Sequence, residues 1–321
     1  MASRSATLYR IHGLLVQSEI PLEAPTVDDG GEPDYRVVAG EPRECESAPP
    51  PGRLLAELQL GELGYWACED ENDPDRWTVR HAGLCETELD RDRKLIVVHP
   101  CPAADPGLIP VLVAGSALAH VLAAEGRLGL HASAVEHDGR AVAIAGPSGT
   151  GKSTLAAVLC AAGAGLVSDD VLRVDVTPQG AICFPGTRSL RLRPQAASLA
   201  ADIGAADARE TADGRTAVFP HCAGDGPLDL AAIVVPEPSR EATRLDVTRL
   251  GAKDALVELL RHPRLAGWQT PDPIGRLFEL TADVADGVPV FRATVPWGPP
   301  FAAGLGRQLL AAVGIDEAGA A

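Results

Sequence analysis

The chain has 321 residues, with Lys+Arg 28 against Asp+Glu 44 and a formal net charge of −16 at pH 7. So acidic a surface argues against general nucleic-acid binding and against docking on anionic membranes, since both reward a basic face. Hydrophobic residues at 46% and charged residues at 22% give a globular balance, and aromatics at only 4% leave the core to Ala, Leu and Val. No run approaches 18 uninterrupted apolar residues, so no membrane-crossing helix is expected. No apolar signal region follows the N-terminus, and a soluble cytoplasmic protein is the expectation. Seven cysteines are scattered without a CxxC pair, which predicts free thiols rather than a disulfide or zinc framework.

The first hundred residues read as β structure. Strands are predicted at residues 9–16, 35–38, 64–68, 77–81 and 94–98, with Pro/Gly/Asp-rich loops at 21–33 and 40–53. Residues 108–124 carry apolar side chains on a helical period and end before Gly126, where a left-handed cap fits. The division expected is a β-rich N-terminal domain, 1–105, followed by an α/β catalytic domain, 106–321.

Residues 130–136 and 141–145 are apolar strands joined through Asp138-Gly139, a strong signal for a two-residue hairpin. A helix over 152–162, a strand over 166–170 ending in two carboxylates, a strand at 231–235, a helix at 252–261, a strand at 288–294 and a helix at 301–313 complete the expected elements.

Gly146-Pro147-Ser148-Gly149-Thr150-Gly151-Lys152-Ser153-Thr154 satisfies G-x-x-x-x-G-K-[ST] at every required position. The glycines let successive N–H groups point at phosphate oxygens, Lys152 reaches the β/γ-phosphates, and the Ser153 hydroxyl is a ligand for Mg²⁺. The helix that opens there adds its positive end. Roughly 0.003 chance matches are expected in such a chain. Lysine is otherwise scarce, at positions 94 and 253 only.

Asp169-Asp170 closes the next strand, where P-loop proteins place a carboxylate that holds Mg²⁺. Neighbours on a strand face opposite ways, so one can serve the metal and the other an acceptor hydroxyl as general base. A solvated, strand-capping pair is the alternative. An uninterrupted hairpin register sets His131 opposite Gly146, where an imidazole can orient a carboxylate or share its proton. A structural histidine is the alternative there. Arg188, Arg191 and Arg193 follow, and alternation puts Arg191 and Arg193 on one face. They form a clamp for phosphate or an anionic substrate, or else ordinary solvated arginines.

Leu130-His-Ala-Ser-Ala134, the hairpin, the phosphate loop and Leu166-Val-Ser-Asp-Asp170 together resemble the catalytic domain of bacterial HPr serine kinase/phosphorylase. The P-loop fold of that family is similar to that of ATP-dependent phosphoenolpyruvate carboxykinase, and the close match covers residues 128–175. The resemblance implies Mg-ATP as cosubstrate, Asp169 as the base that deprotonates a serine hydroxyl with support from His131, and Asp170 near the metal. Those kinases carry a glutamate-containing Ile-Arg-Gly-Leu-Gly-type segment where this chain has residues 185–194. Residues 9–22 look more like the HPr-kinase-related proteins, some of which accompany lasso and other ribosomal peptide biosynthesis and act on a serine of a precursor peptide.

The expected function is therefore an ATP-dependent serine kinase acting on a peptide or protein. A nucleotide-binding scaffold without phosphoryl transfer and a small-molecule hydroxyl kinase are the alternatives. A GTPase is excluded because N-K-x-D needs an asparagine and Asn72 is the only one. No ABC-type L-S-G-G-Q signature is present. The N-terminal segment carries no chemistry of its own. Its short strands suit recognition of an extended peptide along a free edge, or else cover of the core and homo-oligomer formation.

Overall fold

The computed structural model describes residues 5–28, 30–60, 63–204 and 207–315. The chain divides into two units: one runs to Gly126 and takes in Leu265–Arg276, and the other holds Arg127–Arg264 and the residues from Leu277 onward. Residues 106–126 thus group with the β-rich segment, not with the catalytic part to which the sequence reading assigned them.

In the first unit the described strands form one eight-stranded sheet. They are β1 (Thr7–Ile11), β2 (Leu14–Ser18), β3 (Tyr35–Ala39), β4 (Arg53–Leu60), β5 (Leu63–Asp70), β6 (Asp73–His81), β7 (Cys85–Asp90) and β8 (Leu95–Pro100), in the order β1-β2-β3-β8-β7-β6-β5-β4. The single strand expected over 9–16 is a hairpin, because His12 and Gly13 adopt φ 53° and 71° and turn the chain back. Strands β4 and β7 were not anticipated: β7, Cys-Glu-Thr-Glu-Leu-Asp, shows polar residues at positions the sheet nonetheless buries.

The helical run Pro106–Ala124 is long and apolar enough, by composition, to cross a membrane, which corrects the expectation that no such stretch exists. Here its apolar face is spent inside the unit. Val113, Leu118, Val121 and Leu122 are buried, and His12 and His81 reach Ala114 O and Ser116 Oγ at 3.3 and 2.9 Å. Gly126, at φ 67°, closes the run as expected.

Both outer strands are already paired with the unit's own chain. Arg10 N and Val27 N exchange bonds with Pro25 O and Leu8 O along β1. Glu57 N and Gln269 N do so with Gly267 O and Leu55 O along β4. The open edges on which peptide addition was argued are therefore covered, as natural sheets commonly manage their margins.

The second unit is built on a nine-stranded mixed sheet. Its members are β9 (Leu128–Leu130), β10 (Ala132–His137), β11 (Arg140–Ala145), β12 (Gly165–Ser168), β13 (Leu172–Thr177), β14 (Gly180–Cys183), β18 (Leu228–Ser239), β19 (Asp246–Arg249) and β20 (Val290–Pro296). A separate small sheet joins β15 (Leu190–Leu192), β16 (Ala208–Glu210) and β17 (Thr216–Val218). Strands β11, β18 and β20 run parallel, so their carboxyl ends open on one side.

Alternation along β11 explains the layering. Val142 and Ile144 pack under the helix Lys152–Ala161 and the helix Leu305–Ala312, while Ala141, Ala143 and Ala145 pack against Ala255, Leu259, Val284 and Ala285. Strand β18 runs past the expected 231–235 because Pro236 and Pro238 stay in register with Ala293 and Val295 of β20. Proline had argued for an earlier end. The helix Pro271–Gly287 escaped the sequence reading because its prolines and Gly275 look like breakers, although prolines are tolerated in a first helical turn.

Where the two helices that cover β11 meet, the contact is tight. A Cβ on Gly306 would stand 2.8 Å from Val158 O and 2.9 Å from Ala162 Cβ. Gly306→Val should therefore destabilise the unit by roughly 1–3 kcal/mol through overpacking, readable as a lower denaturant midpoint with an unchanged slope.

Candidate active site

The site is assembled at the mouth of the β10–β11 hairpin. Asp138 and Gly139, at φ 51° and 76°, make the two-residue turn. The register then runs unbroken from His137↔Arg140 to Ala132↔Ala145. The residues next to that last pair are His131 and Gly146, where the phosphate loop begins. The expected single strand over 130–136 is split there: β9 ends at Leu130 and pairs with β13, and β10 starts at Ala132.

The loop leaves β11 and curls through Gly149 and Gly151, at φ 93° and 90°, a region an L-side chain enters only at a cost. Gly151 O then accepts from Leu155 N at 2.7 Å to start the helix. Lys152 is buried, with its ammonium donating to Pro147 O at 2.9 Å and to His131 Nε2 at 3.0 Å. Burial pushes its pKa down to about 8, even though Asp169 and Asp170 pull the other way.

Since Lys152 donates to Nε2, the imidazole proton sits on Nδ1. That atom faces Asp170, 3.1 Å from its carbonyl O and 3.2 Å from Oδ1. Asp170 in turn receives Arg264 Nη2 at 3.0 Å, and Arg191 Nη2 lies at 3.9 Å. Burial alone would raise the Asp170 pKa, but Arg264, His131 and Arg191 together hold it well below the usual carboxylate range. A polar chain thus runs Lys152–His131–Asp170–Arg264.

Asp169, also buried, has different partners. Its Oδ1 accepts from Ser133 Oγ at 2.6 Å and Ser153 Oγ at 2.8 Å, and its Oδ2 accepts from Arg191 N at 3.1 Å. The pairing differs from the one the resemblance implies: His131 lies beside Asp170, and the Ser153 hydroxyl beside Asp169. The reason is local. β12 ends at Ser168, and the chain turns at once, with Val171 N donating to Asp169 O at 3.0 Å and Asp170 at φ 72°. Strand alternation does not extend to the pair, and both carboxylates line the same cavity.

That cavity, of about 560 Å³, is lined by the loop, His131, both aspartates and a set of arginines. Arg191 lies on β15 between buried Leu190 and Leu192, as alternation requires, and Arg193 stands just beyond it over Gly149. Arg188 does not join them: it is exposed and pairs with Asp225 at 2.8 Å. Arg215 does, although the sequence reading passed over it. Asp213 holds Arg191 Nη1 at 3.1 Å and Arg215 Nε at 3.2 Å, and Thr211 donates to the same carboxylate.

Asp213→Ala should free both guanidiniums from a fixed aim. A loss of about five-fold in triphosphate affinity is expected, the scale of a partly exposed ion pair, measured by titrating with inorganic tripolyphosphate.

Ser153 and Asp169 offer adjacent hard oxygens at a helix N-terminus, which fits Mg²⁺, an ion usually held by one or two carboxylates plus substrate phosphates. Among the described residues no group of three or more His, Cys, Asp or Glu could form an all-protein metal cage. The seven cysteines are free. Ser133 lies two residues after His131 in the sequence, near the start of β10. Arg264 had no legible signal: it arrives because Arg264 N and His131 N bond Gly129 O and His262 O at 2.9 Å, laying residues 262–264 beside β9.

No protein-family profile matches the chain, and no curated protein matches it. Among solved structures, the Hpr(Ser) kinase/phosphatase from Coxiella burnetii aligns over 58% of this chain and 87% of its own, at 15% sequence identity and a TM-score of 0.32.

Proposed function

We propose that the protein is an Mg-ATP-dependent kinase that transfers the γ-phosphoryl group to a serine hydroxyl of a peptide or protein, such as the precursor of a ribosomal natural product. The observation that carries the reading is the division of labour around the phosphate loop. Asp169 is committed to Ser153, and Asp170 to His131, inside one arginine-lined cavity. In this reading Ser153 and Asp169 hold Mg²⁺, which would neutralise charge on the phosphates. Lys152 exchanges Pro147 O for the β/γ-phosphates. Arg191, Arg193 and Arg215 receive charge on the equatorial oxygens.

The acceptor oxygen forms its bond to γ-phosphorus as the bond to the ADP oxygen breaks, and the hydroxyl proton passes to the Asp170 carboxylate. His131 keeps that carboxylate aimed, and Arg264 keeps it ionised. Peptide recognition by residues 1–105 belongs to the same proposal, through side-chain contacts rather than edge addition, since both sheet margins are covered.

The test is mass spectrometry of pooled serine peptides incubated with the protein and Mg-ATP. A gain of about 80 Da per phosphate, lost when serine is replaced by alanine, is expected. Nucleotide binding without any such gain would favour the scaffold reading instead.

A further inference from the structure

Trp297 is among the most exposed large apolar side chains of the described residues, at 56%, and nothing in the chemistry above uses it. It lies immediately after β20, and its backbone N donates to Ser239 O at 2.9 Å, at the end of β18. The indole is therefore pinned at the carboxyl edge of the parallel strands, where open α/β sheets bind ligands. In the order β11, β18, β20 it follows the strand two places from the one that leads into the phosphate loop. The cavity is continuous from Gly149 and Lys152 to Trp297, Pro238 and Phe301. Arg240 sits over the ring, with its guanidinium carbon 4.1 Å from the centroid.

The two ends of this cavity differ in chemistry. One presents backbone amides, a lysine and arginines, suited to phosphates. The other presents an indole, prolines, a phenylalanine and one stacked guanidinium, with Asp and Glu absent from its lining. A planar, uncharged heteroaromatic ring is the ligand group that such an end accepts, because every base offers a π-face to an aromatic and to an arginine.

We propose that Trp297 and Arg240 form the nucleobase subsite, with the base stacked on the indole–guanidinium platform while the phosphates occupy the loop. The inference rests on the nucleotide reading of the P-loop and adds the residues that would hold the other end of that ligand. It also accounts for an aromatic ring left in solvent in a chain with few aromatics.

The experiment titrates the full chain, with Mg²⁺, against two probes: ADP, and inorganic tripolyphosphate, which has no base. Trp297→Leu should weaken ADP roughly ten-fold or more and move tripolyphosphate less than two-fold, while Trp297→Phe restores most of the ADP affinity. In the wild type, ADP but not tripolyphosphate should quench the part of the emission that disappears in Trp297→Phe. That measurement decides the matter even if the leucine variant folds poorly. Equal ADP affinity in Trp297→Leu and wild type, or no quenching of Trp297 by ADP, overturns the subsite while tripolyphosphate binding upholds the loop. Failure of the wild type to bind either probe overturns the loop reading and the subsite with it.

Discussion

Lys152→Ala is expected to lose phosphoryl transfer by at least about 10²–10³-fold, the scale on which a single aimed transition-state donor acts, and to bind ATP more weakly. The ammonium is aimed from inside the site, and the other lysines, 94 and 253, lie outside its cavity. The same variant should melt no lower than the wild type. Burial depresses the lysine to about 8 in the folded protein, so the folded state binds fewer protons than the unfolded one between that value and its ordinary range. Stability therefore rises with pH across that window, and at neutral pH the buried ammonium is a cost that alanine removes. Loss of turnover with a retained melting temperature identifies a residue kept for chemistry. Wild-type ATP affinity together with normal turnover would refute its placement.

The second large effect separates the two carboxylates. Asp170→Asn should lower turnover by about 10²–10⁴, the range for loss of a general base, while ATP affinity changes only a few-fold. Asp169→Asn should raise the Mg²⁺ concentration needed for half-maximal turnover, because the Ser153–Asp169 pair loses its charge. The opposite pattern, with Asp169→Asn catalytically dead at saturating Mg²⁺ and Asp170→Asn needing more Mg²⁺, would restore the assignment that the family resemblance implies. His131→Ala and Arg264→Ala, which act through Asp170, should each cost less than Asp170→Asn, and a shifted pH–rate profile would separate positioning from mere folding damage.

What could be read from the sequence was local. The phosphate loop and the Asp138-Gly139 turn are short-range constructions, and counting residues through the hairpin was enough to bring His131 to the loop. The helix Lys152–Ala161 and strands β11 and β12 followed from apolar periodicity. The pairing of His131 with Asp170 and of Ser153 with Asp169 could not be read, because it depends on where β12 ends. Alternation applies only within a strand, and a left-handed residue at Asp170 cancels it. Arg264, Arg215 and Trp297 lie roughly 60 to 145 positions beyond the loop in sequence and reach the site only through sheet order and segment pairing. The coverage of β1 by residues 25–27 and of β4 by residues 267–269 is likewise a tertiary fact. It withdraws the free edges on which addition of a peptide strand was argued.

The most direct test of the central claim follows the γ-phosphate itself. Phosphorus NMR of Mg-ATP with the full chain and pooled serine peptides should show the γ resonance replaced by a phosphoserine signal and ADP. No exchange is expected when Asp170→Asn is used or Mg²⁺ is withheld. Mg-ATP that binds, shifts its resonances and stays intact with every peptide in the pool would contradict the account.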